Sequence, residues 1–165
     1  IGILSAMMML SSTEAVSSAR AADIISDLRN LKTAAFAFYM DNIDEVDAVK
    51  GNIFDENNTT QYNSYVKRVF QYLNNSDKVR LKSITADDQK EYKYSFGSET
   101  HTGLEWYGGA WYVWCKVTDD RVREKLASRA VAVDLWGSDT AYHGNPANVE
   151  KPYKVSYEYV GLRIK

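Results

Sequence analysis

The sequence predicts an α+β fold, in which a long N-terminal α-helix packs on an antiparallel β-sheet, with one or two additional short helices. Three observations predict it. From Ser11 to Met40 neither glycine nor proline interrupts an apolar pattern of helical period. Aromatic and β-branched stretches at 90–96, 104–117 and 153–164 alternate instead with the period of a strand. Two shorter stretches, 60–75 and 118–130, return to helical spacing.

The chain begins with an apolar stub, Ile1 to Leu10. The stub is too short to cross a bilayer, which takes about 20 apolar residues, and it lacks the flanks of a secretory signal. Two readings fit it: a buried helix turn of an ordinary core, or the trailing half of an apolar segment whose first half lies upstream. Ser11-Ser12-Thr13-Glu14 has the spacing of a capping box, which starts the amphipathic helix at about residue 12 and runs it to 40. Ile24, Leu28, Leu31, Ala35 and Phe38 then step by four and three along one face. Upstream, Ala15, Ala19 and Ala22 read as the corresponding stripe, small where the later one is bulky. Bulky residues fill a core, whereas small ones let helices approach closely. This divides the chain into a helical stem, 1–42, and a globular α+β head, 43–165.

In the head, Tyr62, Val66, Val69 and Leu73 share a helical face, and Asn74 to Asp77 reads as a turn. "KEYKYSF" alternates as a strand. In "LEWYGGAWYVWCKV", Gly108-Gly109 suits a two-residue turn and pairs Trp106 with Trp111 and Leu104 with Val113. That register puts Leu104, Trp106, Trp111, Val113 and Cys115 on one side, with Tyr107, Tyr112 and Trp114 on the wetter other side. The first side is expected to receive Ile24, Leu28, Leu31, Ala35 and Phe38, with Cys115 buried. Thr118 reads as the cap of a third helix with Val122, Leu126 and Ala130 on its inner face. "DLWGSDTAYHGNPANVEKP" is loop-like, and "YKVSYEYVGLRI" closes the chain as a strand with a bulge near Val160-Gly161.

Several function classes are excluded. At 165 residues the chain is of one-domain length, and a net charge of −2 supplies no basic field for nucleic acid. The single cysteine, Cys115, forbids an intrachain disulfide. His101 and His143 stand 42 apart without a second ligand at zinc spacing. With no nucleophile elbow, phosphate loop or base-orienting pair, an enzyme is not expected, nor is a bound cofactor. Asp134, Asp139 and Asn145 are the weak calcium candidates, because oxygen ligands cluster there. Tyr112 and Trp114 are open to two readings, a sugar-stacking platform or a packed contact.

The stretch "IGIL", followed by small and apolar residues and then "ARAADIISDLRNLKTAAFAFYMDN", resembles the N-terminal region of type IV pilins and of the pseudopilins of type II secretion. The resemblance covers residues 1–42, about a quarter of the chain. The family's Phe-Thr-Leu-Ile-Glu-like start would lie upstream of Ile1, and Leu10 stands where many members carry proline. The resemblance implies a pilin-like fold and a structural subunit. Such a subunit sits in the bacterial inner membrane before assembly, then polymerises into a homo-oligomeric cell-surface or periplasmic filament, joined by related minor pilins. With the change of stripe at about residue 23, assembly is assigned to Ile1, Ile3, Leu4, Ala15, Ala19 and Ala22, with little role expected for them in folding the head. The resemblance also brings calcium into view, since some pseudopilins hold it in a C-terminal loop. The alternative is a surface-anchored, adhesin-like binding module whose aromatic sheet face takes carbohydrate or an exported substrate.

Overall fold

A computed structural model describes residues 2–49, 53–54, 58–81, 94–98, 110–140 and 149–165. The fold is α+β, with a long N-terminal helix laid across a four-stranded antiparallel sheet. The helix, α1 (Gly2–Asp41), is continuous through the serine-rich stretch. The expected cap at Ser11 is therefore absent. Thr13 Oγ1 donates to the Met9 carbonyl at 2.8 Å, and Ser17 Oγ to the Thr13 carbonyl at 3.0 Å. These hydroxyls bond back within the helix, which they can do without ending it. At the other end Asn42 Nδ2 donates to the Phe38 carbonyl at 2.8 Å, and α2 (Ile43–Ala48) follows after the non-helical backbone of Asn42.

The sequence led to one or two short helices; the described residues hold four. Beyond α2 come α3 (Thr59–Phe70), α4 (Asn75–Leu81) and α5 (Asp120–Val133). Asn58 caps α3 by accepting from the Gln61 amide at 3.2 Å. The Asn74–Asp77 cluster opens α4 rather than forming a free turn, because Asn74 Oδ1 accepts from the Asp77 amide at 2.8 Å. The cap of α5 is Asp119, one residue beyond Thr118, with its carboxylate on the amides of Arg121 and Val122 at 2.9 and 3.2 Å. Val122, Leu126 and Ala130 are its buried face, as their spacing predicts.

The sheet runs β1-β2-β4-β3, with β1 Tyr94–Ser98, β2 Trp111–Lys116, β3 Trp136–Ser138 and β4 Tyr159–Arg163. Here the expected hairpin register is corrected. β2 lies between two neighbours: Ser98 stands opposite Trp111, and Phe96 and Leu162 flank Val113. Both edges of the strand are occupied by β1 and β4; Leu104, Trp106 and Gly108-Gly109 lie outside the described residues. β4 is shorter than the closing pattern implied and regular, with Val160, Gly161 and Leu162 opposite Cys115, Trp114 and Val113. The phase slip at Val160-Gly161 falls inside regularly paired β4, where Val160, Gly161 and Leu162 are all buried, and is not a bulge. Part of the stretch read as a loop is strand β3, and Gly137 exchanges backbone hydrogen bonds with Glu150 at 2.8 and 2.9 Å. A side chain at Gly137 would drive into the Tyr157 ring and to 2.9 Å from Tyr153.

One core holds the helix on the sheet. Ile24, Leu28, Leu31, Ala35 and Phe38 are all fully buried, in one cluster with Trp111, Val113 and Cys115 of β2. Phe54 stacks on Phe96 at 4.9 Å, and Tyr39 meets Trp111 edge-on at 5.2 Å. Asp27 is the buried carboxylate of this core and accepts from the Tyr94 hydroxyl at 2.8 Å. Burial, with Asp27 nearby, pushes the Cys115 thiol well above its ordinary value, so it is not a thiolate.

Candidate functional site

The buried stripe of α1 continues upstream as Ala21 and Ser17. It does not pass through Ala15, Ala19 and Ala22, all three of which are exposed. Those alanines are exposed and lie off the line of Ile24 and Leu28. Residues 14–21 also do more for the head than expected. Lys125 Nζ donates to Glu14 at 2.6 Å, Arg129 Nη2 to Ser18 Oγ at 2.9 Å, and Arg20 lies 3.7 Å from Asp119. The Lys125 ammonium holds the Glu14 carboxyl below its ordinary value. The helix thus docks on α5 for about two turns above residue 23. The cause is chemical: small or hydroxyl side chains at Ser17, Ser18 and Ala21 let α5 approach, and charged partners close the edges.

Upstream of Ser17, residues 3–16 are all exposed, Glu14 included although it is paired to Lys125. At 1.5 Å per residue they form a rod about 20 Å long. The rod is apolar where it is most exposed: Ile3 is 76% accessible, Leu4 67% and Met8 72%, and Met7, Met9 and Leu10 are similarly open. Met7, Met8, Met9 and Leu10 are consecutive, so at 100° per residue they cover nearly the whole circumference. A helix apolar on one stripe asks for one partner, whereas a helix apolar all round asks to be enclosed. No helix among the described residues is long and apolar enough to cross a membrane. Ile1 lies outside the described residues.

The far face of the sheet carries the second candidate. Tyr112 and Trp114 do alternate away from the core, but neither is a free platform: they are 4% and 7% exposed. They form a second cluster with Ala110, packed by the half-buried Trp136, Val149 and Tyr159. Trp114 meets Tyr159 edge-on at 5.3 Å, and Tyr112 meets Trp136 at 5.9 Å. A ring enclosed edge-on offers no face to a sugar. The sequence marked these rings as aromatic but gave no sign of Trp136 as their neighbour, because Trp136 lies in what reads as a loop.

The calcium candidates are not brought together as a site among the described residues. Asp134 caps the C-terminus of α5 with φ 66° and is ion-paired to Lys151, which takes the place a cation would occupy. Asp139 is exposed, and Asn145 lies outside the described residues, as do His101 and His143. Among the described residues no group of three or more histidine, cysteine or acidic side chains is placed to hold a metal. Comparison of the chain with protein-family models, with curated proteins and with solved structures gives no match.

Proposed function

We propose that the protein is a structural subunit of a type IV pilus or of a type II secretion pseudopilus, with a pilin-like fold, and that it polymerises through its N-terminal apolar helix. The observation that carries this reading is the exposed start of α1, apolar around its circumference at Met7 to Leu10 and continuous with the helix of the head's core. Burial of apolar area at about 25 cal/mol per Å² drives such a rod out of water. Side chains pointing in every direction are covered by several neighbouring rods or by lipid, not by one partner. In this account the rod rests in the inner membrane before assembly and in the dry centre of a cell-surface or periplasmic filament afterwards, and the heads tile the outside. Copies of the chain are its principal partner, alongside related minor pilins. The mechanism is assembly and needs no cofactor.

The test is assembly of the purified chain at rising concentration, followed by sedimentation and electron microscopy. Leu4→Glu with Met8→Glu places two charges in the rod and none in the head. The pair should abolish filaments while leaving the thermal melt of the head unchanged. Filaments that form equally well with both glutamates would contradict the reading.

A further inference from the structure

The chain's sulfur is confined to one cysteine and four methionines. Cys115 is fully buried, and burial pushes its thiol well above the ordinary value, so it offers an oxidant neither access nor a thiolate. The methionines are open. Met7, Met8 and Met9 are 66%, 72% and 75% accessible, and Met40, near the end of α1, is 54% accessible. Three of the four therefore stand together in the rod, where it is apolar all round. As consecutive residues of a helix they point roughly 100° apart, so their thioethers face three sides of it. The neighbouring Ile3, Leu4 and Leu10 give the rod the same apolar cover without redox chemistry. The thioethers add that chemistry at the one stretch that assembly must take out of water.

We infer that Met7, Met8 and Met9 are an oxidation site that governs assembly: oxidants of the peroxide class convert them to sulfoxides, and the sulfoxide form of the chain stays unassembled. A sulfur lone pair attacks one peroxide oxygen. The O–O bond breaks as the S–O bond forms, the sulfur gives up an electron pair, and the departing hydroxide takes the proton of the transferred oxygen and leaves as water. The product is polar where the thioether was apolar. Burying it without a hydrogen-bond partner is costly, and sulfoxides on three sides leave the rod little arc that can be enclosed dry. The change is reversible, because methionine sulfoxide reductases return the thioether while a pair of thiols becomes a disulfide and water is released. Neighbours that enclose the rod also shut out the oxidant, so the switch acts on the unassembled chain. Met40 lies outside the rod, and its oxidation leaves assembly alone. The inference rests on the proposed self-assembly and adds to it a means of control.

Hydrogen peroxide treatment of the unassembled full chain tests it, with mass spectrometry to locate the sulfoxides and sedimentation to follow assembly. The oxidised chain should need about a tenfold higher concentration or more to assemble. Reductases for both sulfoxide epimers, supplied with a thiol, should return it to within about threefold of the untreated chain. The chain carrying Met7→Leu, Met8→Leu and Met9→Leu should assemble and ignore peroxide, whereas Met40→Leu should keep the full sensitivity. The thermal melt of the oxidised Met40→Leu chain should match that of the same chain untreated, which separates lost assembly from lost folding. Filaments formed before treatment should take up oxygen at Met40 and far more slowly at Met7 to Met9. If filaments form, are abolished by Leu4→Glu with Met8→Glu, and form at the same concentration when Met7, Met8 and Met9 are sulfoxides, the switch is wrong and the assembly reading stands. The switch is equally overturned if the triple leucine chain loses assembly to peroxide as readily as the unaltered one. A chain that stays monomeric at every concentration before treatment overturns both.

Discussion

Residues 3–16 and residues 17–38 belong to one uninterrupted helix, yet they meet opposite surroundings. The later part is amphipathic: its bulky stripe from Ile24 to Phe38 is fully enclosed by the sheet, and its other faces are wet. The earlier part is exposed throughout, and from Ile3 to Leu10 its apolar residues point to every side, ahead of the polar run Ser11 to Glu14. The difference lies not in how apolar the two parts are but in how the apolar residues are arranged around the axis. A stripe is satisfied by the chain's own sheet, whereas a fully apolar turn can be satisfied only from outside the head. Across their boundary runs a joint of two turns, Glu14 to Ala21, where small and hydroxyl side chains admit α5 and ion pairs close its edges.

The comparison breaks most visibly under truncation of its large side chains. Leu28→Ala or Leu31→Ala should cost the head about 2–5 kcal/mol in denaturant melts, the range for leucines enclosed in a core. Leu4→Ala should cost less than about 0.5 kcal/mol, the ordinary range for exposed sites. Equal losses would mean that residues 3–16 are also packed on the head.

The alanines sharpen the boundary. Ala21 is fully buried and Ala19 exposed, although they are two residues apart. Ala21→Leu overpacks the α1–α5 joint and should cost about 1–3 kcal/mol, while Ala19→Leu should fall within about 0.5 kcal/mol of the unaltered chain. The reverse order would restore the stripe read from Ala15, Ala19 and Ala22.

Accessibility supplies a smaller probe. Cys115 is buried on the helix-facing side of β2, with its thiol pushed up by burial. A maleimide should label it slowly in the folded protein and rapidly in denaturant. Fast native labelling would contradict the burial of that side of β2.

The joint carries the smallest expected effect. The Lys125 ammonium holds the Glu14 carboxyl below its ordinary value of 4.5. A group whose folded value is depressed stabilises above its unfolded value, and that stabilisation fades as pH falls through the folded one. The thermal melt of the unaltered chain should therefore lose slightly more on acidification below pH 4.5 than that of Glu14→Gln, with the difference screened by salt. Identical acid profiles would show the pair to be energetically silent.

What could be read from the sequence divides along physical lines. The Ile24–Phe38 stripe, the alternation of Trp111, Val113 and Cys115, and the face of α5 were legible because burial imposes a period on neighbouring residues. The partner of β2 was not. Gly108-Gly109 is a strong local turn signal, but strand pairing is settled by which segments fill both edges, and β1 and β4 fill them. The upstream stripe was misplaced because three alanines on an exposed face and one buried alanine beside a serine look alike in composition. Trp136 was missed because a three-residue strand is too short to show alternation. The buried second face of the sheet follows from that same tryptophan.

Cutting the helix at the joint tests the central claim most directly, that one helix divides into an assembly end and a folding end. A chain starting at Glu14 keeps the Lys125, Arg129 and Asp119 contacts and loses the apolar rod. Sedimentation and denaturant melts of this chain, beside the full one, give both readouts in a single experiment. The account predicts a monomer at every concentration, with a stability within about 1 kcal/mol of the full head. A further cut, to Ala21, should lower stability by removing Ser17 and the ion pairs of the joint. A chain starting at Glu14 that is unfolded, or that still polymerises, would contradict the account.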